Sequence, residues 1–440
     1  MSVLTNELLA RYGRTPVPRY TSYPPANVWG AVSHSFAIEA FGRAAGRPLS
    51  LYVHVPFCRK LCFYCGCNML VTRSQPLVER WLAALRLEVD RVASALGRAG
   101  KVVQLHLGGG TPTYLDEDQL TRVVSLLRSR FDFSAATEAS IEVHPPVTTV
   151  GQLETLARLG FTRVSMGVQD FDPLVQERVN RLQPYAQTAA LVRAARKVGF
   201  ESVNIDLMYG LPLQTAERFD RTLDQVITLR PDRIALFGYA HVPSLKPHQR
   251  VLDERELPTP EQRLAILVRS VARLTGAGWE PIGLDHFALP ADELFRARAA
   301  GTLRRNFMGY TTCADSEVIG FGPSAISEAG GAFVQNVRDV HVWAGLLERG
   351  LLGASRGWRL SEDDARRGAQ IARLFCQLEA DLGDLEPPGL KELAADGLVT
   401  REGSRVKVTE TGRLLLRNVA AVLDDYLGDA PSRRVHAAAV

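Results

Sequence analysis

Cysteine is scarce in this chain, since only six of its 440 residues are cysteines. We therefore expect no disulfide framework, which small secreted domains build from many paired cysteines. Long apolar runs are also lacking, and none approaches the ~18 consecutive apolar residues that a membrane-spanning helix needs. The beginning of the chain does not have the residue order of a signal peptide, so we expect a cytoplasmic protein.

An excess of charge of one sign is lacking as well, because the formal net charge is only +4. So small an imbalance gives little reason to expect a nucleic-acid partner. The chain does contain 46% hydrophobic and 23% charged residues, a composition typical of globular proteins. Its length predicts roughly two to three domains.

Four of the six cysteines lie within ten residues, in the segment CRKLCFYCGC. Three residues separate Cys58 from Cys62, two more precede Cys65, and one more precedes Cys67. A structural zinc site usually takes two separated pairs of ligands, whereas the other two cysteines are single and distant. Thiolates on one compact loop favour an iron–sulfur cluster, and three of them could leave one of four irons open. Zinc and reduced core cysteines are the weaker alternatives.

Six short apolar runs rich in β-branched residues are mostly separated by segments of helical periodicity. This order predicts right-handed βαβ units and a parallel sheet buried on both faces. Six units favour an α/β fold built as a partial (β/α)6 barrel, with a flavodoxin-like open sheet as the competing fold. In a barrel the chemistry lies at the carboxyl ends of the strands. The predicted strands are residues 49–55, 101–107, 139–144, 163–169, 202–210 and 233–240.

Two regions flank the predicted barrel. Residues 1–48 are interrupted by several prolines and predict an extended N-terminal arm without a helix. Residues 49–345 comprise the predicted barrel and its extension. Residues 346–440 predict a mainly helical C-terminal domain, in which a helix, two short strands and a second helix resemble a winged helix.

The Cx3Cx2C spacing after the first strand of a parallel barrel resembles that of the radical S-adenosylmethionine (SAM) superfamily. The resemblance implies a [4Fe–4S] cluster held by Cys58, Cys62 and Cys65, whose open iron binds the amino and carboxylate groups of SAM. Reduction of the cluster then cleaves SAM to a 5′-deoxyadenosyl radical. A fourth protein ligand would close the cluster, so we predict that Cys67 is not a ligand.

Further segments resemble the family of oxygen-independent coproporphyrinogen III oxidases, also called coproporphyrinogen dehydrogenases. Besides the fourth cysteine, these segments are PRYTSYP, LHLGGGTPTYL, VSMGVQDF, NIDLMYGLP, FGYAHVP, GLDHFALPADEL, RRNFMGYTT and GRLLLRN. The resemblance implies oxidative decarboxylation of two propionates of coproporphyrinogen III to vinyl groups, giving protoporphyrinogen IX without oxygen. Related haem chaperones lack the fourth cysteine and the arm motif, and a chaperone that binds haem without decarboxylation is the alternative function.

The same resemblance assigns contacts with SAM, of which two molecules can occupy the site in this family. Aromatic residues before and inside the cluster loop, a glycine-rich turn and polar side chains near strand ends would make most of these contacts. Backbone or apolar contacts complete the set. The residues are Tyr52, Tyr64, Gly109, Gly110, Thr111, Glu142, Gln169, Arg181, Asp206, Ala240 and Ile326.

One segment departs from the family pattern, in which an aspartate, a proline and an arginine follow the isoleucine–glutamate pair of the third strand. This chain keeps Glu142 but continues with Val143, His144, Pro145 and Pro146, so the substrate is less securely implied than the cofactor. We interpret His106 as a satisfied core histidine. The adjacent arginines at 304 and 305 are interpreted as an exposed face.

The resemblance also implies an electron donor, such as a flavodoxin or ferredoxin system, and a monomeric state. No nucleic-acid or membrane partner is expected. A regulator that uses the winged-helix-like region is a third and weaker hypothesis. It would require specific DNA binding with a steep dependence on salt concentration.

Overall fold

The computed structural model describes residues 5–98, 100–313 and 315–428. Within these residues no helix is long and apolar enough to cross a membrane. The α-helices are Asn6–Leu8, His34–Arg43, Gln75–Leu96, Glu117–Arg130, Val150–Arg158, Pro173–Arg178, Tyr185–Val198, Ala216–Leu229, Pro260–Gly276, Glu293–Ala299, Val340–Glu348, Glu362–Gln377, Leu390–Ala395, Glu410–Leu414 and Leu416–Ala421. The strands are Gly30–Ala31, Leu49–Val55, Phe57–Cys58, Leu70–Val71, Val102–Gly109, Phe133–Val143, Arg163–Gln169, Ser202–Tyr209, Arg233–Gly238, Glu280–Ile282, His286–Ala288, Arg304–Asn306, Gly309–Thr311, Glu317–Phe321, Ile326–Ala329, Ala332–Asn336, Ala354–Arg359, Glu379–Asp381, Val399–Glu402 and Arg405–Val408.

Six parallel strands form the centre of the molecule and lie side by side in chain order. We call them the first to sixth barrel strands; they are Leu49–Val55, Val102–Gly109, Phe133–Val143, Arg163–Gln169, Ser202–Tyr209 and Arg233–Gly238. A flavodoxin-like sheet would reverse its strand order at a switch point, and this order does not reverse. The predicted partial (β/α)6 barrel is therefore confirmed, and the competing open sheet was wrong.

The barrel strands form because their apolar side chains are covered on both faces. In the first barrel strand every residue except Tyr52 is buried. The helix Gln75–Leu96 packs against this side of the sheet, with a fully buried Trp81. Ser74 caps that helix by accepting a hydrogen bond from the backbone N–H of Leu77, and Pro76 suits the first turn, which needs no backbone donor.

The sheet continues beyond both edges of the six barrel strands. The strand Glu317–Phe321 pairs in parallel with the first barrel strand. Antiparallel strands extend this edge through Ile326–Ala329, Ala332–Asn336 and Ala354–Arg359 to the short strand Gly30–Ala31. At the opposite edge, two further antiparallel strands follow the sixth barrel strand.

The N-terminal region differs in part from the prediction of an extended arm. Residues 17–24 are irregular, as predicted, but a ten-residue helix follows at His34–Arg43. Ser33 caps this helix, and Ala37, Ala40 and Phe41 bury its inner face. Proline density therefore predicted the irregular segment, and its extension to the whole of residues 1–48 was wrong.

The boundary predicted at residue 345 falls inside the helix Val340–Glu348. The strand Ala354–Arg359 then returns to the barrel sheet, so the C-terminal unit begins only after that strand. Within this unit the strands Val399–Glu402 and Arg405–Val408 form an antiparallel pair between helices, which matches the predicted element order. The resemblance to a winged helix stays a prediction.

The C-terminal unit builds its core partly from the N-terminal arm. Leu9, Tyr20 and Tyr23 are buried among the apolar residues of the C-terminal helices. The hydroxyl of Tyr20 donates to Asp424 at 2.9 Å, and Nε of Arg417 donates to the backbone oxygen of Pro18 at 3.2 Å. The two ends of the described chain thus close together over the barrel.

Candidate functional site

The cysteine loop leaves the carboxyl end of the first barrel strand. Its first residues, Phe57 and Cys58, form a short strand that pairs with Leu70–Val71 and so closes the loop at its base. Inside the loop, the backbone N–H of Cys65 donates to the oxygen of Cys62 at 3.1 Å. This turn brings the second and third cysteines of the motif onto one side of the loop.

Distant segments hold the backbone of this loop. The N–H of Phe63 donates to the oxygen of Val179 at 3.0 Å, and the side-chain amide of Asn180 donates to the oxygen of Leu61 at 2.8 Å. These contacts satisfy backbone groups of the loop and leave its thiols unused. The loop is therefore shaped by the segment that follows the fourth barrel strand.

A second clamp comes from the segment after the sixth barrel strand. Nε2 of His248 lies 2.8 Å from the oxygen of Cys65, and the amide of Gln249 donates to the oxygen of Tyr64 at 3.1 Å. Nζ of Lys246 donates to the oxygen of Cys67 at 3.1 Å. The backbone of the loop is thus hydrogen-bonded from both sides.

The three thiols of the Cx3Cx2C motif lie in distinct polar surroundings. Sγ of Cys58 lies 3.4 Å from the hydroxyl of Thr111, and burial raises its pKa to about 11. Nη1 of Arg181 donates to Sγ of Cys62 at 3.6 Å. A hydrogen bond from Cys67 is the main cause that lowers the pKa of Cys65 to about 6. The same hydrogen bond raises the pKa of Cys67.

This donor set fits an iron–sulfur cluster. Soft thiolates are the ligands that such clusters use, and one compact loop carries all three of these cysteines. Among the described residues, no three His, Cys, Asp or Glu side chains are arranged to hold a single metal ion. A four-iron cluster does not need such an arrangement, because each of its cysteines binds a separate iron atom.

The glycine-rich turn after the second barrel strand packs directly against the start of the cysteine loop. Gly109 has a φ of +118°, and a Cβ there would lie 2.8 Å from the oxygen of Val55. A Cβ on Gly110 would lie 2.9 Å from the oxygen of Phe57. The close approach that requires these glycines is therefore to the chain itself, whereas the contact with SAM that we predicted for them stays a prediction.

Glu142 lies at the end of the third barrel strand, beside the glycine-rich turn. Its oxygens accept from Nε2 of His106 at 3.4 Å and from the backbone N–H of Gly109 at 3.2 Å. Burial alone would raise the pKa of this carboxyl, but these donors lower it below its usual value. His106 also lies 2.7 Å from the hydroxyl of Ser140. It is satisfied, as predicted, but it lines the site, which the sequence interpretation missed.

Asp206 lies on the fifth barrel strand and, like Glu142, faces the interior of the barrel. It accepts from the hydroxyl of Ser165 at 3.0 Å and from the amide of Asn204 at 2.6 Å. Burial, followed by the charge of Glu142, raises the pKa of Asp206 to about 6. Two carboxyls with different proton affinities thus share the interior of the barrel.

Gln169 and Arg181 supply buried polar atoms that the described residues leave without a partner. These atoms are Oε1 of Gln169 and Nε of Arg181. Nη2 of Arg181 donates to the oxygen of Gly167, and Gln169 has a φ of +69°. Buried polar groups are normally paired, so such atoms are typical of a site that a ligand completes.

Tyr52 belongs to an aromatic group beneath the cysteine loop. Its hydroxyl lies 3.0 Å from Nδ1 of His54, whose Nε2 lies 2.7 Å from the oxygen of Asn68. Its ring stacks on His106 at 5.9 Å between centroids and meets Phe307 edge-on at 5.3 Å. His54 was missed in the sequence, although its position two residues after Tyr52 on the same strand face was the available signal.

The remaining predicted residues are distributed around the mouth. The ring of Tyr64 is buried in a cluster with Val179 and Tyr239. The oxygen of Ala240 accepts from the amide of Gln249 at 3.2 Å. Ile326 lies farther away, at the start of a strand two positions beyond the first barrel strand.

A cavity of about 340 Å³ lies inside the barrel below these residues. Its walls include His106, Glu142, Asp206 and His286, and the arm contributes Arg19. Two of the polar strand ends predicted from the sequence, Glu142 and Asp206, therefore face one cavity.

Residues 52–226 match the model of the Radical SAM superfamily. The chain is 44% identical to the oxygen-independent coproporphyrinogen III oxidase of Escherichia coli strain K12, with 93% of each chain covered. It is 41% identical to that of Pseudomonas aeruginosa, with 96% of this chain and 95% of the relative covered. The solved structure of the E. coli coproporphyrinogen III oxidase, reported as a radical SAM enzyme, superposes with a TM-score of 0.88 at 42% identity and covers 94% of this chain and 100% of that chain.

Proposed function

The chain belongs to the family of oxygen-independent coproporphyrinogen III oxidases, and we propose that it oxidatively decarboxylates two propionates of coproporphyrinogen III to vinyl groups. The observation that carries this proposal is the position of Glu142, which lines the polar cavity inside the barrel and accepts from the glycine-rich turn that packs against the start of the Cx3Cx2C loop. The similarity extends over nearly the whole chain, including the arm, and favours the oxidase over the haem-chaperone alternative.

Cys58, Cys62 and Cys65 would hold a [4Fe–4S] cluster, and Cys67 would stay outside its ligand set. SAM would bind between the cluster loop and the strand ends, against Glu142, Asp206, Gln169 and Arg181. When bound, the cluster and SAM would supply reductive cleavage of the SAM sulfonium, which yields a species that abstracts hydrogen atoms. The unpartnered atoms of Gln169 and Arg181 support this placement.

The protein side chains bind and orient in this proposal. Glu142 and Asp206 offer carboxylate oxygens to ribose hydroxyls or to an ammonium group, and Arg181 offers donors to a carboxylate. The arm covers the mouth and restricts access to it, which would limit side reactions of a reactive species. For each propionate, one hydrogen atom leaves the β-carbon, the C–C bond to the carboxylate breaks, carbon dioxide leaves, and one electron passes to an acceptor.

The electron donor in this proposal is an acidic one-electron carrier, such as a flavodoxin or a ferredoxin. A cavity of about 600 Å³ opens on the outer side of the cysteine loop and has Cys62 in its wall. Arg59, Lys60 and Arg73 surround it, and none of the described residues that line it is an aspartate or a glutamate. Such a patch attracts an acidic partner to the side of the loop that carries Cys62. A monomeric state and a cytoplasmic location complete the proposal.

The test is an anaerobic turnover experiment on protein reconstituted with iron and sulfide. Reductant, SAM, coproporphyrinogen III and an electron acceptor are supplied, and porphyrin products and 5′-deoxyadenosine are followed by chromatography. We expect protoporphyrinogen IX and 5′-deoxyadenosine together, and neither from Cys62→Ser protein. Deoxyadenosine without a porphyrin product would assign another substrate. Haem binding without either product, in protein with an intact cluster, would overturn the proposal in favour of the chaperone.

A further inference from the structure

A second cavity, of about 430 Å³, lies beside the barrel mouth and is separate from the barrel interior. The end of the sixth barrel strand, the helix Pro260–Gly276, the N-terminal arm and the C-terminal helices enclose it. It shares Arg19, Asp285 and His286 with the barrel cavity, so these three residues form the wall between the two spaces. Neither the cluster loop nor the predicted SAM contacts line this second cavity.

Four arginines from separate segments line the second cavity: Arg19, Arg263, Arg413 and Arg417. We call them the arginine group. Arg19 donates to the oxygen of Gly238 at 2.9 Å, and Arg263 donates to the next oxygen, that of Tyr239, at 3.0 Å. Arg413 donates to the oxygen of Gly283 at 3.0 Å. Backbone oxygens orient these guanidinium groups but do not neutralise their charge.

The described lining contains fewer carboxylates than arginines. Its two carboxylates are Asp285 and Glu410. Asp285 lies 2.7 Å from Nδ1 of its neighbour His286, and Glu410 is exposed at the start of its helix. Nε of Arg263 is buried without a partner among the described residues. The cavity therefore presents a guanidinium donor that the described residues leave unused.

The electrostatics agree with this geometry. Burial, followed by the charge of Arg19, lowers the pKa of Arg417 to about 9. Burial is also the main cause that lowers the pKa of Arg263. A bound anion would offset the cost of burying Arg263, because it pairs with the guanidinium group.

The rest of the lining is apolar. Leu236 and Phe287 form one side, and Leu267 and Val271 of the helix Pro260–Gly276 form another. An apolar wall beside a group of arginines suits a ligand that combines a hydrophobic ring system with carboxylates. A simple inorganic anion would leave the apolar wall exposed to water.

We propose that the second cavity binds propionate arms of the tetrapyrrole substrate through the arginine group. This inference rests on the proposed function and deepens it by naming a substrate subsite. Because Arg19 and His286 face both cavities, a tetrapyrrole held here by some of its four propionates presents another propionate to the barrel interior. The carboxylate of a SAM molecule has the same chemistry and is the competing source.

The first experiment measures equilibrium binding of coproporphyrin III, the fluorescent oxidised form of the substrate, by reconstituted protein. We expect Arg263→Gln to raise the dissociation constant about tenfold, as the loss of one charged hydrogen-bonded contact requires. Arg263→Lys keeps the charge and should stay within about threefold of the parent protein. Arg193→Gln, on the exposed face of the helix Tyr185–Val198, is the matched control and should leave binding unchanged.

A second measurement needs no substitution and so does not depend on the folding of a variant. Phenylglyoxal modifies accessible arginines, and peptide mass spectrometry reports each position. Coproporphyrin III should protect Arg263 and Arg19 from modification but leave Arg193 reactive. Protection of the arginine group by SAM alone would assign the carboxylate to SAM and overturn the inference.

Turnover of coproporphyrinogen III, measured in parallel, distinguishes a failure of this inference from a failure of the proposed function. Unchanged coproporphyrin III binding in Arg263→Gln, beside normal conversion of coproporphyrinogen III by the parent protein, would overturn this inference alone. A parent protein that neither binds coproporphyrin III nor converts coproporphyrinogen III would overturn the proposed function as well.

Discussion

Arginine is used in opposite ways at the two ends of the barrel. At the floor, where the strands begin, Arg233 donates to Asp292 at 2.8 Å and to Glu293 at 3.2 Å, and Arg163 pairs with Glu138 and Glu293. At the mouth, Arg19 and Arg263 donate to backbone oxygens. Charge is cancelled at the floor and retained at the mouth. We therefore expect the floor to serve stability and the mouth to serve ligand binding.

This comparison predicts that substitutions at the mouth remove chemistry and leave the fold intact. The largest effect is expected from Cys62→Ser, because one missing thiolate leaves the cluster with too few ligands. Product formation should fall by at least about three orders of magnitude. Iron and sulfide content and the visible absorbance of reconstituted protein check the loss.

Cys67→Ser is the control for that experiment. Its cluster and SAM binding should remain, because this residue is predicted to lie outside the ligand set. Loss of the cluster in Cys67→Ser would show that the ligand assignment is wrong. The unfolding midpoint of both unreconstituted variants should match that of the parent protein.

At the floor we expect the reverse: a substitution should lower stability and leave SAM binding intact. Arg233→Met leaves Asp292 and Glu293 without this partner, and Asp292 is 5% exposed. Breaking a buried ion pair typically costs about 3–5 kcal/mol, which we expect in the free energy of unfolding measured with urea. SAM binding by the folded fraction should stay normal. A variant that keeps its stability but loses SAM binding would contradict the division between floor and mouth.

Glu142→Gln tests whether a carboxylate at the mouth contributes to SAM binding. The substitution removes a carboxylate that accepts from His106 and Gly109 but keeps its size. We expect about 10–100-fold weaker SAM binding, since hydrogen bonds to charged groups contribute about 1.5–3 kcal/mol. Because the lowered pKa of this carboxyl means that the folded state favours its ionised form, we also expect a smaller loss in the free energy of unfolding at neutral pH. Isothermal titration calorimetry and urea unfolding measure the two quantities, and unaltered affinity would remove Glu142 from the site.

The smallest expected effect concerns pH. The pKa of Asp206 is raised to about 6 in the folded protein, above its ordinary value of 3.8, so the folded state holds this proton longer than the unfolded state does. Its contribution to stability is therefore complete below about pH 4 and is lost as the pH rises through about 6. We expect a loss of about 2 kcal/mol over this interval.

Asp206→Asn should lack that loss, since an amide does not titrate. Urea unfolding at pH 4 and pH 7 measures the difference between the two proteins. Asp132→Asn, which changes an exposed residue, is the matched control and should behave like the parent protein. Equal pH dependence in Asp206→Asn and the parent would assign the change in stability to other groups.

Much of the barrel could be predicted from the sequence, because its strands are apolar runs whose burial dictates their length. The fourth barrel strand was predicted at its observed residues, Arg163–Gln169. The third begins at Phe133 and not at residue 139, since its first half contains small and polar residues that carry no apolar signal. The helix His34–Arg43 was missed because the prolines before it dominated the interpretation.

The candidate site was predictable to the extent that its residues follow strands or share one short motif. The cysteine loop and the carboxylates Glu142 and Asp206 meet this condition. The second cavity does not, because the arginine group comes from segments almost 400 residues apart and each arginine alone resembles a surface residue. Arg305 shows the same limit: it was interpreted as exposed, yet it donates to the backbone oxygens of Arg19 and Tyr20 at 2.9 and 2.7 Å.

The closure of the arm by the C-terminal helices has a consequence for the timing of synthesis. Arg417 and Pro18, which hydrogen-bond, are 399 residues apart in the chain. At about 5–20 residues per second, a ribosome needs roughly 20–80 s to pass from one to the other. Late in that interval the barrel strands and the cysteine loop have been translated, but the segment that holds the arm has not. The contacts that close the arm over the mouth therefore form only after nearly the whole chain has been made.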